Sequence, residues 1–345
     1  MQYRQLGQTD VKVSLICLGT MTWGEQNSEQ DAHQQIDYAL DAGVNFIDTA
    51  EMYAVPTKPE TQGLTEQYIG TWLASKGKGK RDKVILATKI ASTGMDYIRP
   101  DSNLRAGQIV EAVEKSLKRL QTDYIDLYQL HWPSRSANFF GKLGYQYARS
   151  EKEVPIEETL RACDKLIQDG KIRHLGLSNE TAWGVAEFLR CSREFGLARV
   201  VSIQNPYNLL NRTFEIGLAE FSDREAVGLL AYSPLAMGQL TGKYRHGAKP
   251  DNARLVLFPR LARYTTPLAT KTSERYLQLA DDHGLSPTQM ALAYVNSRPF
   301  VTSNIIGATT MDQLRENIGS IDLVLNEEVV KGIEQIHLSQ SNPCP

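Results

Sequence analysis

The sequence has no uninterrupted apolar run near the roughly twenty residues that cross a bilayer, and the charged Arg4, Asp10 and Lys12 stand in its first dozen positions. Neither a leader nor a membrane anchor is expected, and a soluble cytoplasmic protein is. Charge of one sign is missing too. A formal net charge of −2 over 345 residues offers nothing to attract nucleic acid or an anionic membrane, and the one dense basic run, Lys76 to Lys83, reads as a solvated loop. Cysteine is scarce. Cys17, Cys163, Cys191 and Cys344 are far apart, form no Cys-x-x-Cys pair and have no clustered histidines near them. That argues against zinc and against a disulfide framework, and fits a reducing compartment. No Gly-x-Gly-x-x-Gly follows the first apolar run, no Walker-type phosphate loop occurs, and no Pro-, Gly- or Ser-rich linker divides the chain. With 41% hydrophobic residues the chain can bury one large core, and a single domain over 1–345 is expected.

What is present is an alternation. After a hairpin-like start (YRQLG, a turn at Gln8 to Asp10, VKVS), eight apolar runs read as strands: near 16 to 19, 45 to 49, 84 to 89, 124 to 131, 174 to 178, 200 to 204, 229 to 233 and 303 to 308. Amphipathic runs lie between them. In RAGQIVEAVEKSLKRLQ, Ile109, Val113, Leu117 and Leu120 recur at helical spacing with charges opposite, which predicts one buried stripe. Gly43, Gly170, Gly196 and Gly284 stand where helices should stop, and Pro155 and Pro287 where they could start. Strands alternating with helices imply a parallel sheet, and eight units without a dinucleotide fingerprint favour closure into a (β/α)8 barrel over an open sheet.

Four chemically capable side chains stand at the ends of these strands: Asp48 and Tyr53 after NFIDTA, Lys89 closing KVILATK, and His131 closing DYIDLYQLH. In a barrel they would converge on one mouth. A phenol about 4 Å from an ammonium at an effective dielectric of about 20 gains roughly 4 kcal/mol for its anion, about three pKa units. Tyr53 is thus expected to be drawn from about 10 towards about 7, which suits a proton donor. The plainer alternative is an ordinary buried Asp48–Lys89 ion pair beside two partly buried polar residues.

Two segments are longer than a compact barrel needs, 133 to 153 and 234 to 268, and long loops at this face cover or hold ligands. The first follows Trp132 and carries Phe139, Phe140, Tyr145 and Tyr147; it reads either as a substrate wall, with Trp23 and Trp132, or as a small satellite core. The second carries Gly238, Gly242, Lys243 and Arg254 after Ser233-Pro234, and offers amides and cations to an anion or to solvent.

LGTMTWG at 18 to 24, NFIDTAEMY at 45 to 53, LATK at 86 to 89, DYIDLYQLHWP through Pro133, GLSNET at 176 to 181, IQNPYNLLNR at 203 to 212, AYSPLAMGQLTGKY at 231 to 244 and IIGATTMDQLRENI at 305 to 318 occur in order. Together they resemble the aldo-keto reductases, closely the bacterial Tas-like members related to potassium-channel beta subunits, over nearly the whole span from Tyr3 to Asn317. The resemblance implies Tyr53 as general acid, Lys89 and Asp48 as the pair that tunes it, and His131 as the group orienting a carbonyl. Channel-associated relatives have an amide in place of this histidine. It further implies a nicotinamide cofactor, NADP(H). Ser178, Asn179 and Gln204 would hold the carboxamide and Tyr232 would stack on the ring. Thr20 would join the cofactor site, and Ser233, Pro234, Leu235, Ala236, Gly238 and Lys243 would wrap the pyrophosphate. Lys243 and Arg254 would lie near the 2'-phosphate, and Gly307, Thr309, Gln313, Glu316 and Asn317 would hold the adenosine. Better-known reductases have Lys and Arg where this chain has Gly307 and Gln313. The implied activity is reversible hydride transfer to a small-molecule aldehyde or ketone, with no metal required. Two alternatives are a nucleotide-binding regulatory subunit with little turnover and a lyase using Lys89 as a Schiff-base nucleophile. The ring-rich loops predict a preference for aromatic or medium-chain aldehydes over sugars and keto acids.

Overall fold

The computed structural model describes residues 1–76, 78–149, 153–259 and 263–344. Two short antiparallel strands, β1 (Tyr3–Gln5) and β2 (Lys12–Ser14), form the expected hairpin. Eight parallel strands follow: β3 (Ile16–Gly19), β4 (Phe46–Asp48), β5 (Ile85–Ile90), β6 (Ile125–Leu130), β7 (Ile172–Ser178), β8 (Val200–Pro206), β9 (Gly228–Tyr232) and β10 (Val301–Ile306). They close in chain order, with β10 pairing back to β3. This is the (β/α)8 barrel expected from the alternation.

The helices form where the sequence punctuates them. Ala106–Leu120 buries Ile109, Val113 and Leu120, and Leu117 packs against the same core. Pro155 caps Ile156–Gln168 and Pro287 opens Pro287–Asn296. Gly196 ends Ala182–Phe195 at φ +63°, a left-handed turn that glycine adopts without a Cβ penalty. Between β9 and β10 the chain makes two long helices, Pro267–Asp282 and Pro287–Asn296, instead of one. The 234 to 268 segment contains short helical turns at Ala236–Thr241, Arg245–Gly247 and Arg254–Leu257. Among the described residues no helix is long and apolar enough to cross a membrane.

Two cores position the site. The larger lies between strands and helices; the smaller, inside the barrel, contains Leu6, Val13, Cys17, Phe46, Ala87, Leu127 and Leu230. Leu6 and Val13 bring the hairpin to the N-terminal end of the barrel, where the Arg4 guanidinium donates to the carbonyls of Asn296 and Arg298 at 2.8 Å each. Because side chains alternate along a strand, the next inward position in four strands is polar: Asp48 after Phe46, Lys89 after Ala87, Gln129 after Leu127, Tyr232 after Leu230. The barrel is thus plugged with hydrocarbon at one end and lined with chemistry at the other.

Candidate active site

At the C-terminal end of the strands lies a cavity of about 1260 Å³. Its floor is built on Asp48. The Lys89 ammonium donates to Asp48 Oδ2 at 2.5 Å and to the Thr49 carbonyl at 2.8 Å, and Lys89 has no exposed surface. Lys89 Nζ lies 3.5 Å from the Tyr53 hydroxyl. The opposite oxygen, Asp48 Oδ1, accepts from Gln129 Nε2 at 2.9 Å and from Gln204 Nε2 at 2.8 Å. The Thr20 hydroxyl donates to the Asp48 carbonyl at 2.9 Å and holds the end of β4. His131 stacks edge-on to Tyr53, ring centroids 5.9 Å apart, and its backbone carbonyl accepts from Asn179 Nδ2 at 2.9 Å. Asp48, Tyr53 and His131 line the cavity, and Lys89 lies behind them.

The electrostatics differ from the sequence expectation in one respect. Burial raises the Tyr53 phenol above its ordinary value; Lys89 pulls it down, but burial, with Asp48 in support, outweighs that pull. Burial alone would lower Lys89. Asp48 and Tyr53 together overcome it and hold the ammonium above its ordinary value. Burial, and then the Lys89 charge, push His131 well below its ordinary value, so its imidazole is neutral at pH 7, and its Nδ1 is buried without a partner among the described residues.

The second wall carries the amides. Ser178 Oγ donates to the Gln204 carbonyl at 3.0 Å, Asn179 Nδ2 donates to Ser178 Oγ at 3.1 Å, and Tyr232 donates to Asn179 Oδ1 at 2.6 Å. Asn179 sits at φ +51°, so its side chain turns back over the strand end. Further along are Lys243 and Arg254. Among the described residues Lys243 has no side-chain hydrogen-bond partner and Arg254 donates only to the Met21 thioether, at 3.4 Å. Burial and then Arg254 lower the Lys243 pKa, while Glu316 opposes them; burial likewise lowers Arg254. Gly238, at φ +97°, leaves room for the Lys243 stem: a Cβ there would meet Lys243 Cδ at 3.4 Å and Tyr244 Cε2 at 3.1 Å. At the far end Gln313 Oε1 accepts from the Thr309 amide at 3.0 Å, and Asn317 Nδ2 donates to the Gly307 carbonyl at 3.0 Å.

The cavity brings together the tetrad face and every expected cofactor residue except Ala236. Ala236 is fully buried: its amide donates to the Ser233 carbonyl at 2.9 Å in a tight turn that directs its methyl into the core. Trp23 is corrected as well. The turn from Thr20 to Asn27 drops its indole into the core with no exposed surface, where Nε1 donates to Gln35 Oε1 at 3.1 Å. Trp132 does not face the large cavity either; it packs between His131 and Phe140 and donates to the Thr93 carbonyl at 3.3 Å. The apolar wall near the tetrad consists of Met21, Met52, Val55, Phe140 and Leu143. These methionines carry no chemical signature in the sequence, whereas Gln129, also absent from the expected site, does: an amide at an inward position two residues before His131.

Over residues 15–337 the chain matches the aldo/keto reductase family. The chain belongs to that family. As an aldo/keto reductase it has an oxidoreductase's ancestry and barrel. Across 348 aligned residues covering 100% of both chains it is 53% identical to Protein tas of Escherichia coli (strain K12). It is 32% identical to the uncharacterized oxidoreductase YrpG of Bacillus subtilis (strain 168), covering 100% of this chain and 98% of that one. It is also 32% identical to a probable voltage-gated potassium channel subunit beta of Arabidopsis thaliana, over 99% of this chain and 98% of the other.

Proposed function

We propose that this aldo/keto reductase is an NADP(H)-dependent enzyme that reduces aldehydes or ketones to alcohols, with Tyr53 as general acid. The observation that carries the reading is the Tyr53 hydroxyl on the cavity floor, 3.5 Å from a buried ammonium and beside a neutral imidazole. The fit of a phosphorylated dinucleotide rests on Lys243 and Arg254, two mutually repelling cations that face the cavity and form no ion pair among the described residues, with Glu316 only attracting Lys243 from further off. Ser178, Asn179, Gln204 and Tyr232 would hold the nicotinamide end, and Gly307, Thr309, Gln313, Glu316 and Asn317 the adenosine end. When bound, the cofactor supplies the hydride.

The chain's own residues do the rest. Tyr53 and His131 hold the carbonyl oxygen by hydrogen bonds and polarise it. The Tyr53 hydroxyl gives its proton to that oxygen as negative charge develops there. Lys89, kept protonated by Asp48, then stabilises the tyrosinate. Neither a nucleic acid nor a membrane is needed as partner. The test is purified protein with a panel of aldehydes and ketones, followed by loss of reduced NADPH. Tyr53→Phe should lower turnover at least about a hundredfold, the usual scale for a lost general acid, and leave the NADPH dissociation constant nearly unchanged. Turnover above about a tenth of the unmutated rate would remove Tyr53 from that role. Tight NADPH binding with only a slow single turnover on every substrate would favour a regulatory subunit instead.

A further inference from the structure

Below Tyr53 the side chains of Asp48, Gln129 and Gln204 meet across β4, β6 and β8. Gln129 has no exposed surface. It reaches the barrel axis because its β7 neighbour in register is Gly176, where a Cβ would lie 3.2 Å from Gln129 Cγ and 2.7 Å from Ser202 Oγ. An ionised carboxylate only accepts hydrogen bonds, so both glutamines must turn their NH₂ groups to Asp48 Oδ1, at 2.9 and 2.8 Å. With its nitrogen so committed, Gln129 presents its carbonyl sideways, where it accepts from the same Gln204 Nε2 at 3.0 Å. Both N–H bonds of Gln204 are therefore used inside the barrel. The Gln204 side-chain oxygen, Oε1, accepts no hydrogen bond among the described residues, and Gln204 lines the cavity.

We propose that Gln129 is a positioning residue that locks the Gln204 amide, so that the cavity meets an acceptor there and selects a nicotinamide carrying an N–H donor on its carboxamide. This rests on the nicotinamide reading above. Without Gln129, Asp48 still holds one Gln204 N–H, but the other has no buried partner, so the amide pivots about the single remaining bond and points that N–H, rather than its carbonyl oxygen, into the cavity. Gln129 touches neither substrate nor cofactor and acts through Gln204.

The test compares binding of NADPH with its reduced 3-acetylpyridine analogue, whose acetyl group keeps the carbonyl and lacks the N–H donor. Dissociation constants come from fluorescence titration, and thermal melts report folding. The unmutated protein should bind NADPH about five- to tenfold more tightly than the analogue, the scale of one neutral hydrogen bond. Gln129→Met, similar in volume and unable to accept, should reduce that ratio to within about twofold of unity. Gln129→Glu sets a second carboxyl against Asp48 Oδ1, where the pair must share a proton because two carboxylates in contact cannot both ionise. Its O–H then donates to Asp48 and its carbonyl oxygen still accepts from Gln204, so it should retain the preference; it also keeps the question open to measurement if the methionine variant does not fold. Gln204→Met should abolish the preference, and adding Gln129→Met should change it no further. A full preference in folded Gln129→Met, or its loss in folded Gln129→Glu, overturns the role of Gln129. If the unmutated protein binds neither dinucleotide, the nicotinamide reading itself has failed.

Discussion

Lys243→Ala should weaken NADPH binding by roughly tenfold to a hundredfold and change NADH binding by less than about threefold. The magnitude follows from the position of the ammonium. Lys243 faces the cavity without a side-chain hydrogen bond among the described residues, Arg254 repels it, and Glu316 on the adenosine-side helix Met311–Gly319 attracts it. A charge-assisted contact to a phosphate is worth about 1.5 to 3 kcal/mol, and about 1.4 kcal/mol is a factor of ten. Arg254 differs, because its charge also acts on Tyr53. Arg254→Ala should weaken NADPH binding more than NADH binding, as Lys243→Ala does, and should change turnover in addition. The pH dependence has a definite sign. The free Lys243 pKa is depressed by burial and by Arg254, and a bound phosphate raises it, so binding takes up a proton at alkaline pH. NADPH affinity should fall as pH rises past the depressed value, and this decline should be absent in Lys243→Ala. Fluorescence titration with both dinucleotides, repeated at two ionic strengths, measures all of this. Equal losses of NADPH and NADH in Lys243→Ala would refute the assignment to the 2'-phosphate.

Trp23→Ala should be a stability variant: with no exposed surface and its indole bonded to Gln35, it should cost about 3 to 5 kcal/mol in urea unfolding, and the ranking of aldehyde substrates should not change. Leu143 is 72% exposed yet lines the cavity beside Phe140, so an apolar substrate would cover it. Leu143→Ser should raise the Michaelis constant for a medium-chain aldehyde roughly fivefold, about 1 kcal/mol of lost apolar burial, and leave a small polar aldehyde nearly unaffected; equal effects on both would place the loop outside the substrate path.

Strand ends were legible because two rules coincide there. An apolar run that closes on a charged or polar residue marks the barrel's C-terminal face, and Asp48, Lys89 and His131 each close such a run. The inward parity of these strands was equally readable, and Gln129 was overlooked because an amide within a hydrophobic strand resembles a tolerated core polar residue. Trp23 shows the opposite failure. Its distance from the end of β3 suggests the barrel mouth, but hydrogen bonds from the Trp23 amide to the Thr20 carbonyl and from the Gly24 amide to the Asn27 carbonyl fold the segment back beneath the rim. Ala236 was misplaced for a similar reason, since a turn at φ +49° reverses the direction of a side chain that a linear motif aims at a ligand. Loop direction depends on backbone reversals that residue type signals only weakly, whereas strand direction follows from period two.

The Tyr53 phenol carries the clearest physical lesson. Lys89 alone would draw the phenol's pKa towards neutrality, yet burial outweighs the ammonium and raises it. A general acid must hold its proton when the substrate arrives, so a raised phenol keeps the donor form populated across neutral pH. The cost of ionising Tyr53 matters only as the proton moves, and at that moment Lys89 is 3.5 Å away with its charge secured by Asp48. Lys89 attracts a tyrosinate far more strongly than it attracts a phenol. Its stabilisation is thus largest as the proton transfers, and that difference between the states is what lowers a barrier.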